Sequence, residues 1–209
     1  MPLFKRIDPR ASEDRLERLI DERLQPGADR AAIDALIWKL FGERWAVMFT
    51  DLVGFSRRVA DFGIVEFLQT IHISHKLLVP CLERGGGVLL KTEGDSMLII
   101  FRQPGDAVQA ALEMQRCLAT YNVTRGPAEQ VLLGLGIGYG EVLRIGDSDV
   151  FGAEVNAAAK LGEDIAGAGE ILLTAAVREA VAADGHEGFE QLPKAPAGTA
   201  AAFRLRYEL

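Results

Sequence analysis

Glycine occupies every second position from 134 to 140, in the stretch GLGIGYG, and this pattern restricts the fold more than any other. Successive side chains of a strand point to opposite faces, so four alternating glycines leave one face of a strand without side chains. The residues between them are apolar or aromatic, as in a buried strand. The pattern predicts a strand whose glycine face is in close contact with a helix or a ligand.

The segments around this strand follow the order β-α-β-β-α-β. A short apolar strand ends at Asp51, and a helical pattern interrupted at Gly63 follows it. The segment GVLLKTEGDSMLIIF reads as a hairpin with its turn near Gly94, and a second helical pattern leads to the glycine-rich strand. This order predicts an α+β fold with a ferredoxin-like core, helices on one side of the sheet, and added strands and helices behind it.

Two amphipathic segments precede this core. Apolar residues recur at helical spacing in residues 12–24 and again in residues 33–41, and Pro26 and Gly27 separate the two segments. We therefore expect residues 1–43 to form a helical hairpin that packs on a main domain of residues 44–209 or pairs two chains. We also expect this hairpin to set the geometry or restraint of a dimer.

Composition excludes several functional classes. The chain has 209 residues, 49% of them hydrophobic, and a formal charge of −7. Residues 45–209 hold 14 bases and 21 acids, which argues against a nucleic-acid partner. The longest run without a charged residue, Gln130–Gly140, is shorter than the roughly 20 residues of a spanning helix, and no apolar secretion signal begins the chain. With two cysteines outside any CxxC motif, we expect a cytoplasmic protein without membrane insertion.

Two aspartates are placed where they could share a cation. Asp51 ends the first strand and Asp95 lies in the hairpin turn, and these two points are neighbours in a split βαβ sheet. Two carboxylates at short range repel each other unless a positive charge lies between them, and Mg²⁺ or Mn²⁺ is the usual solution. The alternative is that Asp51 caps a helix and Asp95 only forms a turn.

The segment after Asp51 resembles an anion cradle. Leu52, Val53, Gly54 and Phe55 lead from a strand into a helix, where backbone N–H groups are free to bind phosphate oxygens. Gly54 would let the backbone approach a ligand closely. A metal site and an anion cradle in one loop indicate a polyphosphate substrate.

A third cluster lies in DVFGAEVNAAAKL. Asn156 and Lys160 are four residues apart on a predicted helix, so both should project from one face, and Asp149 precedes that helix. This spacing suggests ligand binding only weakly. A solvated helix face explains it equally simply.

Together, the segments FTDLVGFS, KTEGDS and DVFGAEVNAAAKL resemble the successive signatures of class III nucleotide cyclases, from Trp45 to Thr174. The resemblance implies a ferredoxin-like catalytic domain that forms a head-to-tail homodimer with composite active sites at the interface. Only eight residues lie between Gly140 and Asp149, which is similar to the short-arm subgroup of that family.

The resemblance also implies roles for individual residues. Asp51, Asp95 and the Leu52 carbonyl would hold two Mg²⁺ or Mn²⁺ ions in each active site. Lys91 would recognise adenine together with Asp149. This implies ATP as the substrate and cyclic AMP as the product.

Three further positions follow from the same resemblance. Asn156 would orient the ribose, and Lys194 would bind the triphosphate. Lys160 stands where the family usually has arginine, and lysine keeps the charge but lacks the planar two-pronged donor. The chain is therefore expected to be an adenylate cyclase, or else a nucleotide-binding regulatory module with weak or no turnover. A diguanylate cyclase is disfavoured, because the hairpin reads TEGDS rather than a GGDEF-type turn.

Overall fold

The computed structural model describes residues 10–182 and 188–209, apart from the side chains of residues 55–58. Eight strands within these ranges form one sheet: β1 (Gly42–Leu52), β2 (Val88–Glu93), β3 (Ser96–Phe101), β4 (Leu133–Ile145), β5 (Asp149–Phe151), β6 (Ile171–Thr174), β7 (Phe189–Gln191) and β8 (Ala202–Leu205). The helices of the same ranges are α1 (Ala11–Leu24), α2 (Arg30–Phe41), α3 (Phe55–Phe62), α4 (Ile64–Arg84), α5 (Pro104–Asn122), α6 (Ala153–Ala159) and α7 (Ala175–Ala182). A π-helical segment, Lys160–Ile165, continues directly from α6.

The sheet has the strand order β2-β3-β1-β4-β6-β8-β7, with β5 paired to β4. Strands β1 and β4 are antiparallel along their whole common length, from Gly42 opposite Leu143 to Leu52 opposite Leu133. The first four strands and helices α3 to α5 form the predicted ferredoxin-like core, and β5 to β8 are the added strands. The predicted fold class is confirmed.

Helices cover both faces of the sheet. The main core packs α4, α5 and α7 against one face, with Leu78, Met114 and Val177 among its buried side chains. On the other face, α6 and the π-helical segment lie over β1 and β4. The prediction of helices on one side only was wrong, because the glycine face of β4 makes room for a second helical layer.

The contact at this second layer is very close. A Cβ atom added to Gly136 would lie 2.2 Å from the Ala158 carbonyl oxygen and 2.3 Å from the Gly162 nitrogen. A Cβ atom on Gly138 would lie 2.4 Å from the Glu154 carbonyl oxygen. The expectation of a helix against the glycine face is confirmed.

The N-terminal hairpin packs on the far end of β4. Leu19, Ile33, Ile37 and Phe41 form one buried cluster with Ile145. Strand β1 begins at the residue that follows α2, so no linker separates the hairpin from the sheet. The predicted pair of helices is confirmed as Ala11–Leu24 and Arg30–Phe41, and it contacts the end of β4, while residues 1–9 lie outside the described residues. The division into residues 1–43 and a main domain of residues 44–209, and the role of the hairpin in a dimer, stay predictions.

Two sequence-based expectations on composition can be set beside the structure. In the ranges that the structure describes, no helix is long and apolar enough to cross a membrane. Cys81 is buried and Cys117 is partly buried, and both are free thiols.

We expect Gly136→Ala to destabilise the fold by about 3 kcal/mol or more, because its new methyl group would overlap backbone atoms that cannot move independently. Urea unfolding measures this change. Gly126→Ala is the control, since a Cβ atom there meets nothing within 4 Å. Equal stability of the two variants would contradict the close helix–strand contact.

Candidate active site

The end of β1 and the tip of the β2–β3 hairpin lie side by side. Strand β3 pairs with β1 so that Met97 lies opposite Thr50, and the Met97 amide donates a hydrogen bond to the buried Thr50 hydroxyl oxygen (3.2 Å). Gly94 has a φ of 61°, which permits the two-residue turn that carries Asp95. This register brings Asp95 beside Asp51, as the sequence predicts.

The Asp51 carboxyl is strongly perturbed. Partial burial raises its pKa to about 7, helped by the negative charges of Asp95 and Glu163 and opposed by a hydrogen bond from the Leu52 amide. Asp95 Oδ2 is a buried oxygen that accepts no hydrogen bond. A hard divalent cation would neutralise the repulsion and supply the missing partner of Asp95, so this pair fits Mg²⁺ or Mn²⁺.

Such a cation would need ligands beyond these side chains. Across the described residues, no three histidine, cysteine, aspartate or glutamate side chains are grouped so that they could hold a metal ion. Mg²⁺ is commonly bound through one or two carboxylates together with substrate phosphates and water. The pair Asp51 and Asp95, with the backbone of Leu52, therefore suits an ion that arrives with a phosphorylated substrate.

The predicted anion cradle is smaller than expected. The Val53 amide donates a hydrogen bond to the Leu132 carbonyl oxygen (2.8 Å), so Val53 has no free N–H for a phosphate. That prediction for Val53 was wrong, because the β1–β4 ladder continues one residue past the strand. Gly54 has a φ of 89° and precedes α3, whose first turn, starting at Phe55, has no side-chain cap.

Lys91, Asp149 and Asn156 line one cavity of about 230 Å³. The Lys91 ammonium lies 3.0 Å from Asp149 Oδ2 and 3.1 Å from Glu93 Oε1. The hydrogen bond that the Lys91 ammonium donates to Asp149 is the main cause that raises the pKa of Lys91, so the ammonium stays charged. The structure thus brings Lys91 together with Asp149 and Asn156, which lie far from it in the sequence.

Strand β5 makes this meeting possible, and the sequence pattern did not reveal it. Asp149 begins β5 and lies opposite Ile145 of β4, which turns the short loop after β4 back onto the sheet. Three residues are too few for a visible alternation of apolar side chains. Asp149 reaches the cavity that Asn156 lines because β5 pairs with β4.

Lys160 is not among the residues that line this cavity. It lies on a second cavity of about 830 Å³, which Lys194 and Arg204 also line. Its ammonium forms an ion pair with Asp164, and this contact raises the pKa of Lys160. Lys160 lies one α-helical turn after Asn156, and its amide donates a hydrogen bond to the Asn156 carbonyl oxygen, as the predicted spacing requires, but the two side chains line different cavities.

Two acidic residues of the site were missed in the sequence. Glu93 follows Lys91 by two positions on β2, which is the spacing of one strand face, and Glu163 follows Lys160 by three positions. The Ser96 hydroxyl donates a hydrogen bond to Glu163 Oε1 (2.7 Å), which connects the hairpin tip to the π-helical segment. These spacings could have identified both glutamates.

Without metal, we expect Asp51→Asn to raise the melting temperature at pH 8 by about 3 °C. Because the pKa of Asp51 is higher in the folded chain than the ordinary value of 3.8, protonation of Asp51 stabilises the fold. This stabilisation is fully present below pH 3.8 and is lost as the pH rises through about 7. The difference in melting temperature between Asp51→Asn and the wild type should therefore become smaller as the pH is lowered from 8 to 5. Differential scanning fluorimetry in EDTA measures it.

Mn²⁺ and an exposed aspartate provide the controls. Mn²⁺ at pH 8 should stabilise the wild type more than Asp51→Asn, while Asp21→Asn on α1 should behave as the wild type does. A difference between Asp51→Asn and wild type that does not vary with pH would contradict the assigned electrostatics.

Comparison with known proteins adds an independent line. Residues 42–195 match the family described as adenylate and guanylate cyclase catalytic domain. The chain is 32% identical over 131 residues to the serine/threonine-protein kinase pkn2 of Myxococcus xanthus, covering 63% of this chain and 16% of that protein. It is also 32% identical over 139 residues to an adenylate cyclase of Streptomyces coelicolor, covering 66% of this chain and 32% of the relative.

A solved structure shares the fold. The adenylate/guanylate cyclase/hydrolase from Silicibacter pomeroyi superposes with a TM-score of 0.69 at 24% identity, over 80% of this chain and 99% of that one. By contrast, the chain spans 32% or less of the length of the two curated relatives named above. The family match covers most of the chain, including Asp51, Asp95 and Asn156. The protein therefore belongs to the family of adenylate and guanylate cyclase catalytic domains, the class III nucleotide cyclases that its motifs resemble.

Proposed function

We propose that the protein is an adenylate cyclase, which converts ATP into 3′,5′-cyclic AMP and pyrophosphate. The observation that carries this proposal is the Lys91–Asp149 ion pair on a cavity that Asn156 also lines. In the reaction, the ribose 3′-oxygen attacks the α-phosphorus, and the bond to the β-phosphate oxygen breaks.

The donor and acceptor pattern of the ion pair favours adenine. An ammonium group has three protons, and Asp149 and Glu93 accept two of those of Lys91, which leaves one for the adenine N1 acceptor. The Asp149 carboxylate can accept a hydrogen bond from the exocyclic amine. Guanine presents a donor and a carbonyl at these places, so the same pair leaves its polar groups unmatched.

The acidic end of β1 supplies the second half of the proposed mechanism. Asp51 and Asp95, with the Leu52 carbonyl, would hold two Mg²⁺ or Mn²⁺ ions. When bound, such ions lower the pKa of the 3′-hydroxyl and neutralise the triphosphate. Gly54 and Phe55 would place the start of α3 beside the phosphates. Asn156 would orient the ribose, and Lys160 and Lys194 would contribute positive charge to the triphosphate.

We further propose that the active enzyme is a homodimer with composite sites. Lys91 and Asp149, which would bind the base, line the cavity of about 230 Å³, called the base cavity below, whereas Lys160 and Lys194 line the separate cavity of about 830 Å³. The base cavity of one chain is smaller than the roughly 300–1,000 Å³ of ordinary ligand sites. A large apolar surface on α3 and α4 is exposed, formed by Phe62, Ile64, Val65 and Leu68. A second chain would cover such a surface and complete the site. The proposed enzyme is cytoplasmic, binds no nucleic acid and inserts into no membrane.

A regulatory module with weak or no turnover is the second candidate. The observation that favours it is the ion pair of Lys160 with Asp164, which offsets positive charge that Lys160 would otherwise offer to the phosphates. Lysine also lacks the bidentate geometry with which arginine binds phosphate. The protein would then still bind the nucleotide but would convert little or none of it.

Purified dimeric protein should form cyclic AMP from Mn²⁺-ATP, and Asp51→Ala should abolish this activity, because one carboxylate cannot hold the ions. Chromatography of the products measures the rate. Asp21→Ala, on the exposed face of α1, should keep the wild-type rate. No product from a dimeric sample would contradict the proposal. GTP turnover equal to ATP turnover would overturn the roles of Lys91 and Asp149.

Lys160 separates the two candidate functions. If Lys160 stabilises the transition state, Lys160→Ala should lower kcat on the order of 10²-fold, with a smaller change in KM. Lys160→Arg is the matched variant: a loss of rate supports a working lysine, and a large gain supports an impaired enzyme. Steady-state kinetics with Mn²⁺-ATP distinguishes these results.

A further inference from the structure

The support of Asp149 comes from the N-terminal hairpin. Strand β5 has three residues and pairs with the end of β4, with Asp149 opposite Ile145 and Phe151 opposite Leu143. So short a strand has little stability of its own and is held by two contacts. Val150 is buried (2% exposed) in one cluster with Trp45 and Val142, and Asp149, at the start of β5, depends on the pairing with Ile145.

This end of β4 extends beyond the partner strand on its other side. Pairing of β1 with β4 stops at Gly42 opposite Leu143, so Ile145 lies outside that ladder. The hairpin packs on this part of β4. Ile145 is 2% exposed and lies in one buried cluster with Ile33 and Ile37 of α2. The residue opposite Asp149 is therefore held by the hairpin.

A second contact links the same two regions. Phe151 lines the base cavity together with Lys91. It also lines a groove of about 420 Å³ between the hairpin and the sheet, together with Ile20, Ile37 and Trp38. Strand β5 thus lies between the hairpin on one side and the base cavity on the other.

We propose that the apolar core of the hairpin positions Asp149 and thereby sets the preference for adenine over guanine, with Ile145 and Ile37 as positioning residues. This inference rests on the proposed function. It gives the hairpin a role within a single chain, separate from any role in dimerisation.

The physical reason is the short range of base recognition. A displacement of about 1 Å in a positioned group can cost on the order of 10²-fold in function. Truncation of Ile145 removes the packing under Asp149 and lets β5 shift. Adenine should lose more affinity than guanine, because the Asp149 carboxylate is matched to the adenine amine.

The test measures binding without turnover. Affinities for α,β-methylene ATP and α,β-methylene GTP, each with Mn²⁺, are determined by calorimetry for wild type, Ile145→Ala and Ile145→Val. Leu205→Ala is the matched control, because Leu205 is a similarly buried aliphatic residue of β8 (5% exposed). The melting temperatures of Ile145→Ala and Leu205→Ala check that the two variants lose a similar amount of stability before their affinities are compared.

We expect Ile145→Ala to reduce the ratio of ATP-analogue to GTP-analogue affinity by about tenfold. Ile145→Val should restore most of that ratio, and Leu205→Ala should retain it. Ile37→Ala should act as Ile145→Ala does, and it provides the test if Ile145→Ala does not fold.

An unchanged ratio in Ile145→Ala, or in Ile37→Ala where only that variant folds, overturns the inference. An equal loss of selectivity in Leu205→Ala overturns it as well. In each of these results the wild type still prefers the ATP analogue, so the proposed function stands. A wild type that binds neither analogue, or both equally, overturns the proposed function and this inference together.

Discussion

The close contact between the bare face of β4 and the segment formed by α6 and the π-helical turn is the constraint on which the site depends. With no side chain at Gly136 or Gly138, helix backbone atoms pack directly on the strand. A single Cβ atom would push this layer outward. Because the layer carries Asn156, Lys160 and Glu163, its distance from β4 determines where these side chains lie relative to the acidic end of β1.

The acidic end of β1 favours a positive ligand. Burial and the neighbouring acids raise the pKa of Asp51 to about 7, and a buried oxygen of Asp95 has no hydrogen-bond partner. Such an arrangement is costly for a bare protein and favourable around a divalent cation. At the base cavity, the Lys91 ammonium lies between two carboxylates and offsets one of their two negative charges. These three groups already contact one another within a single chain.

The N-terminal hairpin connects to the acidic end of β1 and to the base cavity through β strands. It continues without a linker into β1, which ends at Asp51, and it buries Ile145, which pairs with Asp149. A change in hairpin packing would therefore reach the base cavity through the backbone pairing of Ile145 with Asp149. This arrangement gives a segment outside the matched family region a physical route to the site.

Local pattern alone was enough to predict the order of helices and strands, the helix against the glycine face, the hairpin turn at Gly94, and the approach of Asp51 to Asp95. Each of these follows from periodicity, turn chemistry or the pairing of neighbouring strands, which nearby residues encode. Only the tertiary structure decided that β5 forms, that the Val53 amide is already paired, that Lys160 lies on a different cavity from Asn156, and that Ile145 supports Asp149. Strand β5 pairs with nearby residues of β4 but is too short for a visible apolar pattern, and the other features depend on pairing or packing with residues far away in the sequence.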